Sequence, residues 1–427
     1  MAKLRTRPRD DQVVGEVREL DITAMGAQGD GLAGHIFAPL TLPGERVTAR
    51  VAGDRGELVD ILAASSDRVV PQCPHFGDCG GCALQHWAQG PYLAWKVEQI
   101  RLALGRERME TEILEPFAAA PGSRRRLALH ARRQGRGAVL GFKGRRSWRL
   151  TPIETCDIAD PRLVAALPGL RRIAEPFLEH PKSAPTLHVT LTLTGLDIEV
   201  SGVERKSGGL SADARMRVAE AAAAADVARV TLAGEVVYEV RQAVVRMGDA
   251  TVALPPGAFL QAVPAAEAAM VMFALEAAAG ARRTADLYCG AGAFTFPLAS
   301  VAPVLAADSS AGAIAALTSA AASAPGLKSI EARTRDLDRR PLLAEELKAI
   351  DVVLFDPPRA GAAMQCGELA RSRVAKVVGV SCNPVTFARD ARTLVDAGFR
   401  LDRLLPVDQF LWSPHIELVG EFSRDRS

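Results

Sequence analysis

The stretch KVVGVSCNPVTFARDART, residues 376–393, indicates the fold class of the chain. Apolar β-type residues run up to Ser381, and Asn383-Pro384 then opens a helical pattern, because Asn is a preferred N-cap and Pro fits the first helical turn. Cys382 is therefore expected at the C-terminal tip of a strand, just before a helix. That position is predicted to be partly exposed and electropositive, which favours the thiolate. We interpret Cys382 as a nucleophile.

Three further strand ends are predicted to lie at the same edge of a sheet. From about residue 254 onward strands and helices alternate, as in a doubly wound parallel sheet. One strand runs into the glycine turn DLYCGAG at 286–292, the next ends at Asp308, and another ends at Asp356 in DPPRAG. Ligands of such sheets bind at the carboxyl ends of the strands, so these tips predict one site.

The glycine turn and Asp308 have the pattern of a nucleoside site. Glycine lets a ligand approach the backbone closely, and an acid about 20 residues further on can take ribose hydroxyls. A third glycine at the dinucleotide spacing is missing, since Phe294-Thr295 stand there, so pyrophosphate binding is disfavoured. S-adenosylmethionine, a nucleoside without phosphates, suits the pattern better.

A second motif, CPHFGDCGGC at 73–82, gathers Cys73, Cys79 and Cys82 with C-x5-C-x2-C spacing. Cys156, in PIETCDI, is the best candidate for a fourth thiolate. Four thiolates can hold a [4Fe–4S] cluster or a structural zinc, and the spacing leaves both possibilities open.

A basic run between residues 124 and 149 contains ten Lys and Arg residues, Arg136 among them, and no Asp or Glu. Phe142 and Trp148 are interleaved with it. A solvated charged face is the simpler interpretation, but single-sign strands with aromatic residues are typical of a surface that contacts a phosphate backbone. The candidate RNA contacts are Arg124, Arg126, Arg132, Arg133, Lys143, Arg145 and Arg146.

Bulk properties narrow the class of protein. A length of 427 residues predicts two to four domains. The charged N-terminus has no apolar signal region, and no apolar run reaches the 18 or so residues of a membrane span. Seven cysteines, an odd number, argue against a disulfide framework. We therefore expect a cytoplasmic protein without a membrane partner.

Glu417, in PHIE, opens a late apolar strand and could act as a base beside the thiol. Uracil C5 is too weak a nucleophile to attack a methyl sulfonium directly. Addition of a thiolate at C6 gives C5 the carbanion character it needs, and a base then removes the C5 proton. A Cys nucleophile together with a Glu base is therefore suited to methylating a pyrimidine carbon.

Taken in order, the motifs CPHFGDCGGC, GAFLQ, DLYCGAGAF, FDPPRAG, SCNP and PHIE cover nearly the whole chain. With them the sequence strongly resembles the RNA 5-methyluridine methyltransferases of the RumA/TrmA type, which methylate uracil C5 with S-adenosylmethionine. The resemblance implies Cys382 as nucleophile, Glu417 as base, and a [4Fe–4S] cluster on Cys73, Cys79, Cys82 and Cys156. The implied cofactor-binding residues are Gln261, Tyr288, Gly290, Gly292, Ala293, Asp308, Asp336 and Asp356.

Four positions depart from the family pattern. Val263 and Ala293 stand where Asn is usual, Asp308 replaces a Glu, and Asp336 occupies a place often held by Asn. We expect these changes to loosen or re-route hydrogen bonds to the cofactor, with Ala293 acting through its backbone. None of them removes the nucleophile or the base.

The fold class implied is α/β, with a class I (Rossmann-like) methyltransferase sheet, an N-terminal OB-like barrel and a central mixed α/β iron–sulfur domain. Short strands separated by glycines at 12–64 predict the barrel, which resembles a TRAM domain. The expected boundaries are 1–65 for the barrel, 66–87 with 117–253 for the central RNA-binding domain, and 88–116 with 254–427 for the methyltransferase domain.

The predicted function is methylation of uracil C5 in RNA by a monomeric enzyme. A TRAM-like barrel together with a cluster favours 23S rRNA as the substrate, with tRNA as the alternative. A non-catalytic iron–sulfur RNA-binding protein would leave the Cys382/Glu417 pair unexplained. Methylation at a nitrogen or at cytosine C5 is the other alternative, although nitrogen targets need no nucleophilic Cys.

Overall fold

The computed structural model describes residues 15–135, 137–204 and 210–425. The described residues up to Lys96, together with Trp412–Pro414, form one compact unit, and those of Val97–Leu411 with those from His415 onward form a second. The three-domain boundaries drawn from the sequence stay a prediction. The first 14 residues of the expected barrel, and Arg136 of the basic run, lie outside the described residues.

The first unit contains, in its described part, a six-stranded sheet in the order β1-β5-β6-β4-β3-β2. Along β5 the side chains of Val47, Ala49 and Val51 are buried at every second position, as expected for a strand with one face on a core. The expectation of short strands here is confirmed, while their closure into an OB-like barrel stays a prediction. The strands are β1 (Glu16–Asp21), β2 (Ala24–Met25), β3 (Asp30–Ala33), β4 (Ile36–Pro39), β5 (Arg46–Ala52) and β6 (Arg55–Ala63).

Apolar residues at helical spacing predict an amphipathic helix over residues 92–106. Helix α1 (Gln89–Arg106) confirms it and begins three residues earlier. Its apolar positions Ile100 and Leu104 are buried in the core of the second unit. Two short strands follow it, β7 (Glu112–Ile113) and β8 (Phe117–Ala118).

A seven-stranded sheet, counted over the described residues, follows in the order β11-β10-β9-β12-β13-β14-β15. Leu127, Leu129 and Ala131 of β9 point into a core shared with α3 and α4, so the alternate residues of β9 lie on the opposite face. The strands are β9 (Arg126–Gln134), β10 (Gly137–Lys143), β11 (Leu150–Pro152), β12 (Thr186–Thr192), β13 (Gly195–Ser201), β14 (Arg229–Leu232) and β15 (Glu235–Glu239), and the helices are α2 (Pro161–Ala165), α3 (Leu167–Ala174) and α4 (Ala212–Ala224), with a 3₁₀ turn at Pro176–Leu178. The sequence pattern predicts β-ribbons at 123–151 and, from its alternation, a hairpin at 186–204, and the pairing of β9, β10 and β11 and of β12 with β13 confirms both.

The C-terminal part contains a separate two-stranded ribbon and a larger sheet with helices on both faces. The order of the larger sheet is β20-β19-β18-β21-β22-β24-β23-β7, with β8 also paired to β23. Its elements, and the ribbon β16/β17 before them, are β16 (Val244–Met247), β17 (Ala250–Ala253), α5 (Pro264–Ala277), β18 (Thr284–Leu287), α6 (Thr295–Val301), β19 (Val304–Asp308), α7 (Ala311–Ser323), β20 (Ile330–Thr334), β21 (Val352–Phe355), α8 (Ala363–Arg371), β22 (Lys376–Ser381), α9 (Pro384–Asp396), β23 (Arg400–Asp408) and β24 (Glu417–Ser423).

The central strands of this sheet are apolar on both faces because both faces are covered. Val353 and Phe355 of β21 pack with α1, α8 and α9, whereas Val352 and Leu354 pack with α5 and α6. Strands buried in this way read as continuous apolar runs, which is the pattern the sequence shows. The strands predicted before Cys289, Asp308, Asp356 and Cys382 are all present.

The direction of the strands decides where the site forms. Strands β18 to β22 are parallel, so their carboxyl ends share one edge. Strand β24 runs antiparallel between β22 and β23, and its first residue, Glu417, therefore lies at that same edge. None of the described helices combines the length and the apolar character needed to cross a membrane.

Candidate active site

A cavity of about 650 Å³ opens at the carboxyl-end edge of the large sheet. Its volume is in the range of pockets that hold small molecules and cofactors. The side chains around it come chiefly from β9, from the loop before α5, from the ends of six strands and from the start of β24. Of the residues singled out in the sequence, it is lined by Arg124, Arg126, Gln261, Tyr288, Gly290, Ala293, Asp308, Asp336, Asp356, Cys382 and Glu417.

Cys382 lies where the sequence places it, between the end of β22 and the start of α9. Asn383 is the N-cap of α9, and its side chain accepts the N–H of Val385 at 3.1 Å. The antiparallel ladder pairs Ser381 with Leu418. The next step of that register sets Cys382 opposite Glu417.

The electrostatic surroundings of Cys382 differ from the expectation. The thiol is half-buried, as predicted. Burial, and then the charges of Glu417 and Asp356, raise the pKa of the Cys382 thiol, while Arg359 acts in the opposite direction. The prediction that this position favours the thiolate was wrong for the free protein, because burial and two carboxyl groups from other strands raise the pKa of the thiol.

Glu417 is a buried carboxyl group, with only 4% of its surface exposed. Burial, and then repulsion from Asp356, raise the pKa of Glu417 to about 8, against the effect of a hydrogen bond from Gln409. Such a carboxyl group exchanges its proton near neutral pH, which is the range a general base needs.

Asp356, at the end of β21, belongs to the same group of side chains. Burial raises the pKa of Asp356 to about 7, and a hydrogen bond from Gln261 opposes the rise. Gln261 Nε2 donates to Asp356 Oδ2 at 3.0 Å. Gln409 Nε2 in turn donates to Gln261 Oε1 at 2.7 Å and to Glu417 Oε2 at 2.8 Å. The two carboxyl groups are thus joined through two amides.

The carboxyl group of Asp308 accepts two backbone hydrogen bonds, one of them from the glycine turn after β18. Gly290 N donates to Asp308 Oδ2 at 2.9 Å, and Ser310 N donates to Oδ1 at 2.7 Å. Tyr288 has φ +60°, a left-handed conformation that is uncommon outside glycine and is found at ligand sites. Gly292 does not line the cavity in the described structure; a Cβ on it would lie 2.6 Å from the ring of Phe296.

These residues fit S-adenosylmethionine. A Cβ built on Gly290 meets nothing within 4 Å, so the backbone there is open to a ligand. The wall beyond it carries Asp308, Asp336 and Asp338, whose carboxylates suit a nucleoside with ribose hydroxyls and a positive charge. Tyr288 Oη donates to Asp338 Oδ1 at 2.9 Å, which fixes the phenol against this wall.

The basic run divides into residues with different surroundings. Arg126 donates to the carbonyls of Leu260 and Ala258, at 2.9 and 3.1 Å, and Arg125 donates to the carbonyl of Gln261 at 3.0 Å. Both guanidinium groups therefore hold the loop that carries Gln261, although Arg126 also lines the cavity.

Further along β9, Arg132 and Arg133 point to opposite faces of the sheet. Arg133 donates to the carbonyl of Leu178, on the helix-covered side, and Arg132 lies on the other face with His130. Lys143 Nζ stacks 4.2 Å from the ring centre of Trp148, whose side chain is 82% exposed. Arg145 and Arg146 belong to the same turn between β10 and β11.

The cysteine motif does not show a complete metal site. Cys73, Cys79 and Cys82 share one tight loop, where Gly81 N donates to Cys79 Sγ at 3.4 Å. Cys156 belongs to the other unit, and burial, more than any other factor, raises the pKa of its thiol. Over the described residues, no group of three or more His, Cys, Asp or Glu side chains is placed to hold a metal ion.

Similarity to known proteins decides the family. Residues 221–423 match the family model described as tRNA (Uracil-5-)-methyltransferase. The chain is 67% identical over 415 residues to an "Uncharacterized RNA methyltransferase" of Caulobacter vibrioides, covering 96% of this chain and 100% of that protein. It is 32% identical to the 23S rRNA (uracil(1939)-C(5))-methyltransferase RlmD of Alkalilimnicola ehrlichii, covering 95% and 96%. The chain belongs to the RNA uracil-C5 methyltransferase family.

A solved structure of the same enzyme class shares the fold of this RNA methyltransferase. The tRNA (uracil-54, C5)-methyltransferase of Pyrococcus abyssi, in complex with S-adenosyl-L-homocysteine, matches with a TM-score of 0.72 and 22% identity, over 95% of this chain and 99% of that one. The large sheet is therefore a class I methyltransferase sheet, as the resemblance implied.

Several cavity residues were missed in the sequence: Phe259, Asp338, Gln409 and Phe410. Gln409 and Asp338 could have been found by the rule that located Cys382 and Asp356. Gln409 directly follows strand β23, and Asp338 follows β20 by four residues. Phe259 carries no such signal in the sequence; it is 70% exposed and lies 5.7 Å from the Arg126 guanidinium.

Proposed function

We propose that this RNA methyltransferase transfers a methyl group from S-adenosylmethionine to C5 of a uracil in RNA, with Cys382 as nucleophile and Glu417 as base. The main support for the proposal is the position of these two side chains. They stand opposite each other at the end of the β22/β24 ladder and line the cavity that the glycine turn also lines. A thiol, a carboxyl group and an open glycine turn in one cavity match the needs of this reaction.

The proposed reaction has three steps at the pyrimidine. The Cys382 thiolate forms a bond to C6, and the electron pair of the C5–C6 double bond moves to C5 and the O4 enolate. S-adenosylmethionine supplies the methyl group that C5 accepts. Glu417 then takes the C5 proton, the C5–H electrons re-form the double bond, and the C6–S bond breaks to release the thiolate.

The raised pKa values of the free protein are consistent with this sequence of steps. Burial and the neighbouring carboxyl groups disfavour the Cys382 thiolate before ligands bind, since negative charges repel it. A bound cation beside Asp356 would weaken that repulsion. The thiol is therefore expected to be most reactive when the cavity is filled, which protects the free enzyme from side reactions.

An RNA substrate containing 5-fluorouridine tests the mechanism. Fluorine at C5 cannot be removed as a proton, so wild-type enzyme with cofactor should form a stable covalent complex, seen as a band shift in a denaturing gel. Cys382→Ala should give no complex while binding RNA and unfolding at a temperature close to that of wild type. Absence of the complex with wild-type protein and a methylatable RNA would refute the covalent route.

We infer 23S rRNA as the substrate, with tRNA as the alternative. The relative RlmD, named for 23S rRNA, aligns over 95% of this chain. The matching family model and the Pyrococcus abyssi enzyme are named for tRNA, which supports the alternative. Mapping 5-methyluridine in total RNA with and without the gene separates the two, and mass spectrometry of the nucleosides separates uracil from cytosine or nitrogen methylation.

The [4Fe–4S] cluster, the cytoplasmic location and the monomeric state stay predictions. The cluster is supported by the spacing of Cys73, Cys79 and Cys82 in a glycine-rich loop. Iron and acid-labile sulfide in anaerobically purified protein, compared with a Cys79→Ala variant, would test it. A non-catalytic iron–sulfur RNA-binding protein is disfavoured because it does not explain why Cys382 and Glu417 lie in the same cavity.

A further inference from the structure

Gln409 joins the two carboxyl groups of the cavity. It is the residue after β23, and only 3% of its surface is exposed. Its Nε2 donates to Glu417 Oε2 at 2.8 Å and to Gln261 Oε1 at 2.7 Å, and its Oε1 accepts the N–H of Ala262 at 3.2 Å. Both amide hydrogens and the amide oxygen are thus used.

These partners allow only one orientation of the Gln409 amide. Turning it over would place Nε2 against the N–H of Ala262, and would place Oε1 against the two acceptor oxygens of Glu417 and Gln261. Both contacts would be repulsive, and buried polar groups would lose their hydrogen bonds. The amide is therefore fixed as a donor toward Glu417.

A fixed donor on Oε2 decides which oxygen of Glu417 can carry a proton. Oε2 accepts a hydrogen from Gln409, so a proton taken up by the carboxylate goes to Oε1. The same contact holds the carboxyl plane in place against the end of the β22/β24 ladder. Proton transfer is sensitive to such placement, because the base must come within hydrogen-bond reach of the C–H that it attacks.

We propose that Gln409 is a positioning residue for Glu417: its amide aims Oε1 at the C5 proton and ties the base, through Gln261, to Asp356. This inference rests on the proposed function, since it assigns a task within the last step of that reaction. It predicts that loss of the amide slows proton removal from C5 and leaves the earlier attack by Cys382 intact.

Gln409→Met tests this, because Met keeps the volume and removes both hydrogens. Gln365→Met is the matched control, since Gln365 is also fully buried and hydrogen-bonds the backbone of Leu342, away from the cavity. Turnover on uridine RNA should fall about 10- to 100-fold in Gln409→Met, the size expected when a catalytic group is misplaced by about 1 Å. The 5-fluorouridine complex, which does not need the base, should form at nearly the wild-type rate.

Two further readouts separate positioning from general damage. With Gln409→Met, a covalent complex on ordinary uridine RNA should accumulate, and RNA carrying 5-deuterouridine should be turned over more slowly than the protonated RNA. If Gln409→Met does not fold, Gln409→Asn, whose shorter amide cannot span both partners, takes its place with the same expectations.

The outcomes are distinct. A variant that loses turnover and 5-fluorouridine complex formation in equal proportion, without an isotope effect, would show a merely structural role and overturn the inference. Unchanged turnover in a folded variant would also overturn it. If wild-type enzyme forms no 5-fluorouridine complex, the proposed function itself fails, whatever Gln409 does.

Discussion

At the scale of single residues, the place of Cys382 was predictable and its environment was not. Asn383-Pro384 is a local signal, because a helix cap and a first-turn proline act on their own backbone. The pKa of the thiol depends on Glu417 and Asp356, which lie 35 residues later and 26 residues earlier in the chain. No local pattern shows that three strand ends bring these groups together.

Glu417→Gln should separate methyl transfer from product release. A general base typically contributes about 10²- to 10⁴-fold to a rate, so multiple turnover should fall by that factor. The covalent complex between the variant and ordinary uridine RNA should accumulate, because the C5 proton stays in place. Gel analysis of the complex and a methyl-transfer assay measure the two effects; a variant that turns over normally would exclude Glu417 as the base.

The activity should increase with pH through the pKa of Glu417. The base acts as the carboxylate, and burial holds its pKa at about 8, so the rate of product release should rise with pH and level off above about 8. Stability should change in the opposite direction. A carboxyl group whose folded-state pKa is raised stabilises the fold below its ordinary pKa of 4.5, and that contribution is lost as the pH rises through about 8.

Glu417→Gln provides the control for this pH dependence. The amide cannot ionise, so the free energy of unfolding of the variant should fall less than that of wild type between about pH 5 and pH 9. Denaturant unfolding at several pH values measures it. An identical pH dependence of the unfolding free energy in both proteins would contradict a raised pKa of Glu417 in the folded state.

At the scale of elements, the strands and helices of the large sheet could be predicted from the sequence, whereas the contacts made by the basic run could not. Apolar runs ending in polar residues located β18, β19, β21 and β22 because both faces of these strands are covered. Arg126 was predicted as an RNA contact and Arg125 only as part of the basic run, because a sequence cannot show which carbonyls a guanidinium will meet. They hold the Gln261 loop from another sheet.

The turn after β18 should tolerate no side chain at Gly292. Its φ of +108° strains any other residue, and a Cβ would lie 2.6 Å from Phe296 Cε2. Gly292→Ala should therefore lower the free energy of unfolding by roughly 2–4 kcal/mol and weaken cofactor binding. Gly280→Ala is the control, with φ +75° and nothing within 4 Å of its Cβ, and should cost about 1 kcal/mol. Equal losses would show that packing on Phe296 is unimportant.

At the scale of the whole molecule, a doubly wound sheet could be predicted from its alternating elements, but the division of the chain could not. Trp412–Pro414 lie between β23 and β24 in sequence and yet belong to the first unit. Three residues within a connection give no compositional signal of such a change. Likewise, Cys156, the predicted fourth ligand of the cysteine motif, belongs to the other unit.

RNA affinity should depend on salt through Arg132 on β9 and through the residues at and beside the β10–β11 turn. Replacing Arg132, Lys143 and Arg146 by Gln should reduce the slope of log affinity against log salt by about 0.7–0.9 for each phosphate that is no longer neutralised. Neutralising Arg282, Lys348 and Arg373, at the amino ends of the sheet strands, is the charge-matched control and should leave the slope unchanged. Equal effects of both triple substitutions would point to non-specific attraction alone.

The ladder between β22 and β24 also limits how this protein could be redesigned. Because Cys382 and Glu417 are set opposite each other by strand register, inserting a single residue into β24 would turn the carboxyl group to the reverse side of the sheet. Libraries aimed at a new RNA target should therefore leave both strands at their present length. The variation belongs in the surface turns proposed to contact RNA, where length can change without disturbing the proposed catalytic pair.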